Sequence, residues 1–186
     1  MIKLPMVKCT MLLLCLLAGL CADFLGGTCE EYVVKWCGKY RISVWRTEIY
    51  WKLIDLYSIK NNVPPILIAK IIRRESQFDK NTVGDDGASF GLMGIKAESW
   101  EGKIEYLHRI YGKTNFTRTE LLFIPKVSIA LGTEIFREKL KESNGDFSLA
   151  LIAYNAGINS GLYKRAKENI NFKYRNSYVR NVLDDK

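Results

Sequence analysis

Glu75 is the residue of this sequence best placed to move a proton. It follows Ile68, Ala69, Ile71 and Ile72, whose spacing covers one side of a helix, and comes about one helical turn after them. A carboxyl at the edge of an apolar helix is partly stripped of water. Desolvation disfavours the charged form, so its pKa is expected above the ordinary range. A carboxyl tuned in this way suits general acid chemistry near neutral pH. A polar loop follows, with glycines at 84, 87, 91 and 94. A residue without a side chain lets the backbone approach a ligand closely. Asp85 and Asp86 lie in this loop. Asp before Gly forms turns readily, and Asp85 also offers a second carboxylate facing Glu75. The plain alternative for Glu75 is a solvated surface group beside Arg73 and Arg74.

The elements that must position these residues read as helices. Pro64 and Pro65 break the chain and open the helix that carries Glu75, since proline suits a first helical turn. Phe78 is expected to enter the core and fix the helix exit. Residues 81–91 are a loop that has room for a small hairpin. Leu92, Met93 and Ile95 return to the core. Upstream, 28–36 reads as a short helix opened by a capping box, Thr28 to Glu31. Residues 43–60 read as a longer helix with Ile49, Leu53, Leu56, Tyr57 and Lys60 on one face, and Trp45 and Trp51 as further packing bulk, with sugar stacking as the alternative. Downstream helices are expected at 99–110, 125–143, 146–156 and 174–183, with Tyr178 and Val179 facing inward. The fold class is mainly α. His108, the one histidine, receives no role, and Asn115, Phe116 and Thr117 match a glycosylation sequon.

A chain of 186 residues is long enough for one domain with a real core. Hydrophobic content of 48% and charged content of 26% are those of a globular protein. The net charge of +8 suits polyanions such as a cell wall, but the basic residues are scattered and carry no nucleic-acid fingerprint. Residues 1–22 have the basic start, the short apolar run and the small residues of a secretory signal peptide. An uncleaved membrane anchor, or a lipid on Cys21, are the alternatives. Of five cysteines, Cys9, Cys15 and Cys21 fall in this segment, leaving Cys29 and Cys37. Export would permit a disulfide between them. Eight residues along one helix rise about 12 Å, too far for that bond, so free thiols are expected if the helix forms. No metal site is apparent.

Three groups of residues carry a resemblance. They are Glu75, Ser76 and Phe78; then Gly87, Ala88, Ser89, Phe90, Gly91, Leu92 and Met93; then Ala153, Tyr154, Asn155, Ala156 and Gly157. In this order they resemble the soluble lytic transglycosylases and the related goose-type lysozymes, over residues 63–182. The resemblance implies a lysozyme-like helical domain over 63–186, after a helical extension at 23–62. It implies cleavage of the β-1,4 bond between N-acetylmuramic acid and N-acetylglucosamine in peptidoglycan, with a 1,6-anhydro end and no cofactor. It implies an exported protein of the periplasm or cell envelope, whose partners are glycan strands and, in some settings, envelope-spanning machines. Glu75 matches the catalytic acid/base. Ser76, Gly91, Leu92, Met93, Tyr154, Asn155 and Tyr178 match substrate-groove positions. Two positions depart from the pattern. Gly94 stands where the family has Gln, a sugar contact. Asp85 matches one lysozyme carboxylate, but Lys96 stands at the position of the second. Hydrolysis, or wall binding with weak catalysis, are the alternatives the resemblance leaves.

Overall fold

The structure, a computed structural model, describes residues 28–96, 104–112 and 115–184. The signal-like segment 1–22 and Ser99, the expected cap of its helix, lie outside these residues, and so does the side chain of His108. Helices α1 (Cys29–Lys39), α2 (Val44–Asn61) and α3 (Pro65–Ser76) come first. Three two-residue strands follow: β1 (Val83–Gly84), β2 (Ser89–Phe90) and β3 (Ile95–Lys96), with a 3-10 turn over Asp85–Gly87. The rest is α4 (Ile104–Tyr111), α5 (Arg118–Leu122), α6 (Pro125–Glu142), α7 (Phe147–Ala156), α8 (Gly161–Glu168), α9 (Ile170–Arg175) and α10 (Ser177–Leu183).

Local chemistry sets most of these boundaries. Thr28 closes a capping box on α1: its hydroxyl accepts from Glu31 N–H at 3.2 Å, and Glu31 Oε2 accepts from Thr28 N–H at 3.0 Å. Pro65 and Pro125 occupy the first turns of α3 and α6. Asp146 caps α7 through Leu149 N–H at 3.0 Å and takes Lys173 Nζ on its other oxygen at 2.6 Å. Helix α3 ends where Gln77 and Phe78 both enter the left-handed region (φ 53° and 64°), and this corner drives Phe78 fully into the core.

Helix α3 is buried along most of its length. Ile66, Leu67, Ile68, Ala69, Ile71 and Ile72 are covered by α1, α2 and α10. Helix α6 forms the other axis and packs against α2, α4, α5 and α7. The loop from Gly91 to Gly94 is wedged against this framework. A side chain at Gly91 (φ 75°) would put its β-carbon 2.1 Å from Leu122 O. At Gly132, in the middle of α6, a β-carbon would meet Met93 Sδ at 2.4 Å, so the missing side chain is the space that Met93 fills.

The mainly helical class holds, with four differences of detail. The hairpin gains a third strand: β1 pairs β2 and β2 pairs β3, both antiparallel. Helices α5 and α8 fall in stretches without an expected element. The last predicted helix is split at Asn176, whose carbonyl oxygen Oδ1 accepts from Tyr178 and Val179 N–H at 3.0 and 3.2 Å and so starts α10 afresh. Helix α2 packs through Tyr50, Ile54, Tyr57, Ser58 and Asn61, while Ile49, Leu56 and Trp45 are exposed. Both stripes have helical spacing, and the polar members of the true one hid it. Cys29 and Cys37 are free thiols on one helix, as the spacing requires. Among the described residues no helix is long and apolar enough to cross a membrane.

Candidate active site

Glu75 lies in the last turn of α3 and lines a groove of about 480 Å³. The apolar residues that bury α3 also take water from its carboxyl. Burial raises the Glu75 pKa above 4.5, and the charge of Asp85 pushes the same way. The hydrogen bond from Tyr178 and the charge of Arg74 oppose these effects, and burial wins.

The two carboxyl oxygens have different surroundings. Tyr178, from α10, donates its hydroxyl to Oε1. Oε2 faces Gly94, where a β-carbon would stand only 2.6 Å away. One oxygen is held by Tyr178, and the other lies on the Gly94 side of a carboxyl that lines the groove. Tyr154, from α7, donates to Met93 O at 2.7 Å and ties the glycine loop to the opposite wall. Burial, and then the charge of Glu75, raise both tyrosine pKa values well above 10, so both remain donors.

The residues matched by resemblance fall into two sets. Glu75, Asp85, Tyr154 and Asn155 line the groove. Tyr178 meets the acid from behind. Ser76, Gly91, Leu92 and Met93 are not on the groove surface. Ser76 is buried and its hydroxyl donates to Ile72 O at 3.0 Å and Leu92 O at 2.9 Å, which joins α3 to the loop. Leu92 and Met93 are fully buried, and Met93 N–H donates to Ser128 Oγ at 3.2 Å. Leu92 and Met93 lie in the core beneath the groove, because an apolar side chain at a tight turn gains more from the core than from water.

Asp85 is exposed and pairs with Lys96 Nζ at 3.5 Å. The lysine that replaces the second carboxylate position thus neutralises the first. Sequence reasoning missed the wall supplied by α6, where Ile135, Glu138 and Lys139 line the groove. Their spacing looks like an ordinary helix surface, and only the packing of α6 against α7 gives it a role. Among the described residues no group of His, Cys, Asp and Glu could hold a metal ion.

Comparison with known proteins gives three findings. No curated protein matches the chain. The structure is similar to an inactive mutant of the lytic transglycosylase Slt from Pseudomonas aeruginosa, with a TM-score of 0.54 and 23% identity. That likeness covers 71% of this chain but only 22% of that chain, and it establishes a shared fold. The family described as the transglycosylase SLT domain matches residues 52–176, from within α2 to the residue that starts α10, so by sequence and by fold the chain belongs to the transglycosylase SLT domain family.

Proposed function

We propose that the protein is a peptidoglycan lytic transglycosylase that cleaves the β-1,4 bond between N-acetylmuramic acid and N-acetylglucosamine. Glu75 protonates the glycosidic oxygen through Oε2 as the bond breaks. The resulting carboxylate takes the proton from the C6 hydroxyl of the same muramoyl sugar, whose oxygen closes on C1 to give a 1,6-anhydro end. One carboxyl serves both steps. Tyr178 holds Oε1 throughout, so the carboxyl does not rotate away between them. The substrate's own N-acetyl group shields the positive charge at C1, beside Tyr154. Residues 1–22 export the chain to the periplasm or cell envelope, or anchor it there, where glycan strands are its partner.

The observation that carries this reading is the pairing of Asp85 with Lys96. An inverting hydrolase needs a second carboxylate free to activate water. Here that carboxylate is already paired with Lys96 Nζ at 3.5 Å, so it does not stand free beside the bond. The presence of Asp85 on the same groove as Glu75 favours hydrolysis as the second reading.

Mass spectrometry of soluble muropeptides, after incubation with purified peptidoglycan, separates the two. Anhydro-muramic ends, absent from a Glu75→Gln sample, are expected. Products one water heavier would make the protein a lysozyme. No release by the unmutated protein would sink both.

A further inference from the structure

Three hydrogen bonds join helices α3 and α10 and run from one end of α10 to the other, and the Arg74 guanidinium lies 5.8 Å from the Tyr178 ring. Tyr178 to Glu75 is the first. Lys70 Nζ donates to Leu183 O at 3.2 Å, and Arg73 Nη2 donates to Asn181 O at 2.9 Å. The last carbonyls of a helix have no intrahelical partner. In α10 the Arg180 carbonyl is satisfied by Asp184 N–H at 2.8 Å, while those of Asn181 and Leu183 are satisfied by these two cations. The helix that carries the acid therefore holds the end of the helix that carries the acid's hydrogen-bond donor.

This arrangement has a cost that needs a reason. Lys70 is only 4% exposed, and burying an ammonium is unfavourable unless it is well paired. Helix α1 backs both cations: the Arg73 guanidinium lies 4.4 Å over the Trp36 ring, and Lys70 lies 6.0 Å over Tyr32. Helix α10 spans only Ser177–Leu183, too short to be stable alone. Val179 and Val182 bury its apolar side, but apolar contact is not directional and leaves its position along the axis undetermined. The two cation–carbonyl bonds fix that position. Both α1 and α10 lie outside residues 52–176, the stretch that the family model matches.

We propose that Lys70 and Arg73 are positioning residues that set α10, and with it the Tyr178 hydroxyl, against Glu75. Neither lines the groove, and they act on Glu75 through α10. The kinetic consequence rests on the transglycosylase reading; the effect on the carboxyl does not. Loss of the Tyr178 bond removes stabilisation of the charged Glu75, so the carboxyl stays protonated to higher pH. Its other charged or titratable neighbours are Arg74 on its own helix, Tyr154 on α7, Asp85 and Lys96 by the sheet, and Glu138 and Lys139 on α6. Of these, Arg74 also meets α10, its guanidinium 5.8 Å from the Tyr178 ring, but it lies over that ring and not at the carbonyl end of the helix.

The test is a carbon-13 carboxyl titration of Glu75 in the full chain, assigned by the signal that Glu75→Gln removes. Lys70→Met and Arg73→Met are each expected to raise the midpoint by about half a pH unit, in the direction that Tyr178→Phe moves it. Added to Tyr178→Phe, neither should move it further. Arg73→Lys keeps a cationic donor and should recover part of the shift; it and Lys70→Met carry the test if Arg73→Met does not fold. The basic limb of kcat/KM on peptidoglycan should move with the midpoint. Single variants with an unmoved midpoint beside a shifted Tyr178→Phe, or shifts that add in the double variants, would overturn the proposal. A normal titration series without turnover by the unmutated protein would sink the transglycosylase reading alone.

Discussion

Gly94 and Glu75 share one small volume: a β-carbon on Gly94 would stand 2.6 Å from Glu75 Oε2 and 3.1 Å from its Cδ. The backbone of Gly94 is also left-handed, at φ 58°. Gly94→Ala should therefore push the carboxyl from its place and strain the turn. Overpacking and a disfavoured φ together cost about 1–3 kcal/mol. Release of muropeptides is expected to fall at least about tenfold, with a lower melting temperature. Gly94→Gln, which restores the family residue, should do no better, because its β-carbon meets the same oxygen. A gain of activity in Gly94→Gln would show that the loop has a second arrangement.

Glu75 should be a stability liability at neutral pH. Burial raises its folded pKa above 4.5. For a raised pKa, the contribution to stability is complete below the unfolded value and is lost as pH rises through the folded one. Glu75→Gln removes the buried charge and keeps an oxygen for Tyr178. It should melt above the parent at pH 7.5, by an amount on the order of 1 kcal/mol, with the gap closing near pH 4. A variant less stable than the parent at pH 7.5 would contradict the burial argument.

Asp85 and Lys96 should move the basic limb of activity in opposite directions. Burial is the larger cause of the raised Glu75 pKa, and the negative charge of Asp85 adds to it. Asp85→Asn should lower the limb slightly with the product unchanged. Lys96→Met leaves Asp85 unpaired and should raise it. A complete loss of product in Asp85→Asn would mean that Asp85 acts on water.

Cys29 and Cys37, the free cysteines among the described residues, should be silent in the native state. Burial, reinforced by Asp55, raises Cys29 far above its ordinary 9.0, and burial raises Cys37 to about 11. Only the thiolate reacts quickly. A thiol reagent at pH 8, with its sites mapped by peptide mass spectrometry, should label Cys29 and Cys37 after denaturation and neither before it. Labelling of Cys37 in the native protein would show that α1 opens.

Glu75 was legible in the sequence because its signal is local: an apolar run, a carboxyl one turn later, then glycine. The Thr28 capping box and the free thiols were legible for the same reason. The partners of Glu75 were harder to see. Tyr178 is 103 residues away from it, and nothing in the local sequence shows that its hydroxyl ends on Oε1. Gly94 looked like a lost sugar contact until its backbone was seen against the acid. Helix α2 misled because Ile49 and Leu56 form a regular apolar stripe that stays exposed, while Thr47, Ser58 and Asn61 sit inside. Periodicity identifies stripes, but only tertiary packing decides which one is covered.

The contact between Gly132 and Met93 makes the core beneath the groove and the middle of α6 a single unit of inheritance. A methyl group added at position 132 has no room while Met93 keeps its thioether, and a smaller residue at 93 leaves a void while 132 stays bare. Neither site can drift alone. A β-carbon at 132 would also stand 2.7 Å from Met93 Cβ, so shortening the side chain at 93 is not enough and the loop must shift with it; relatives are expected to vary the two positions together or not at all.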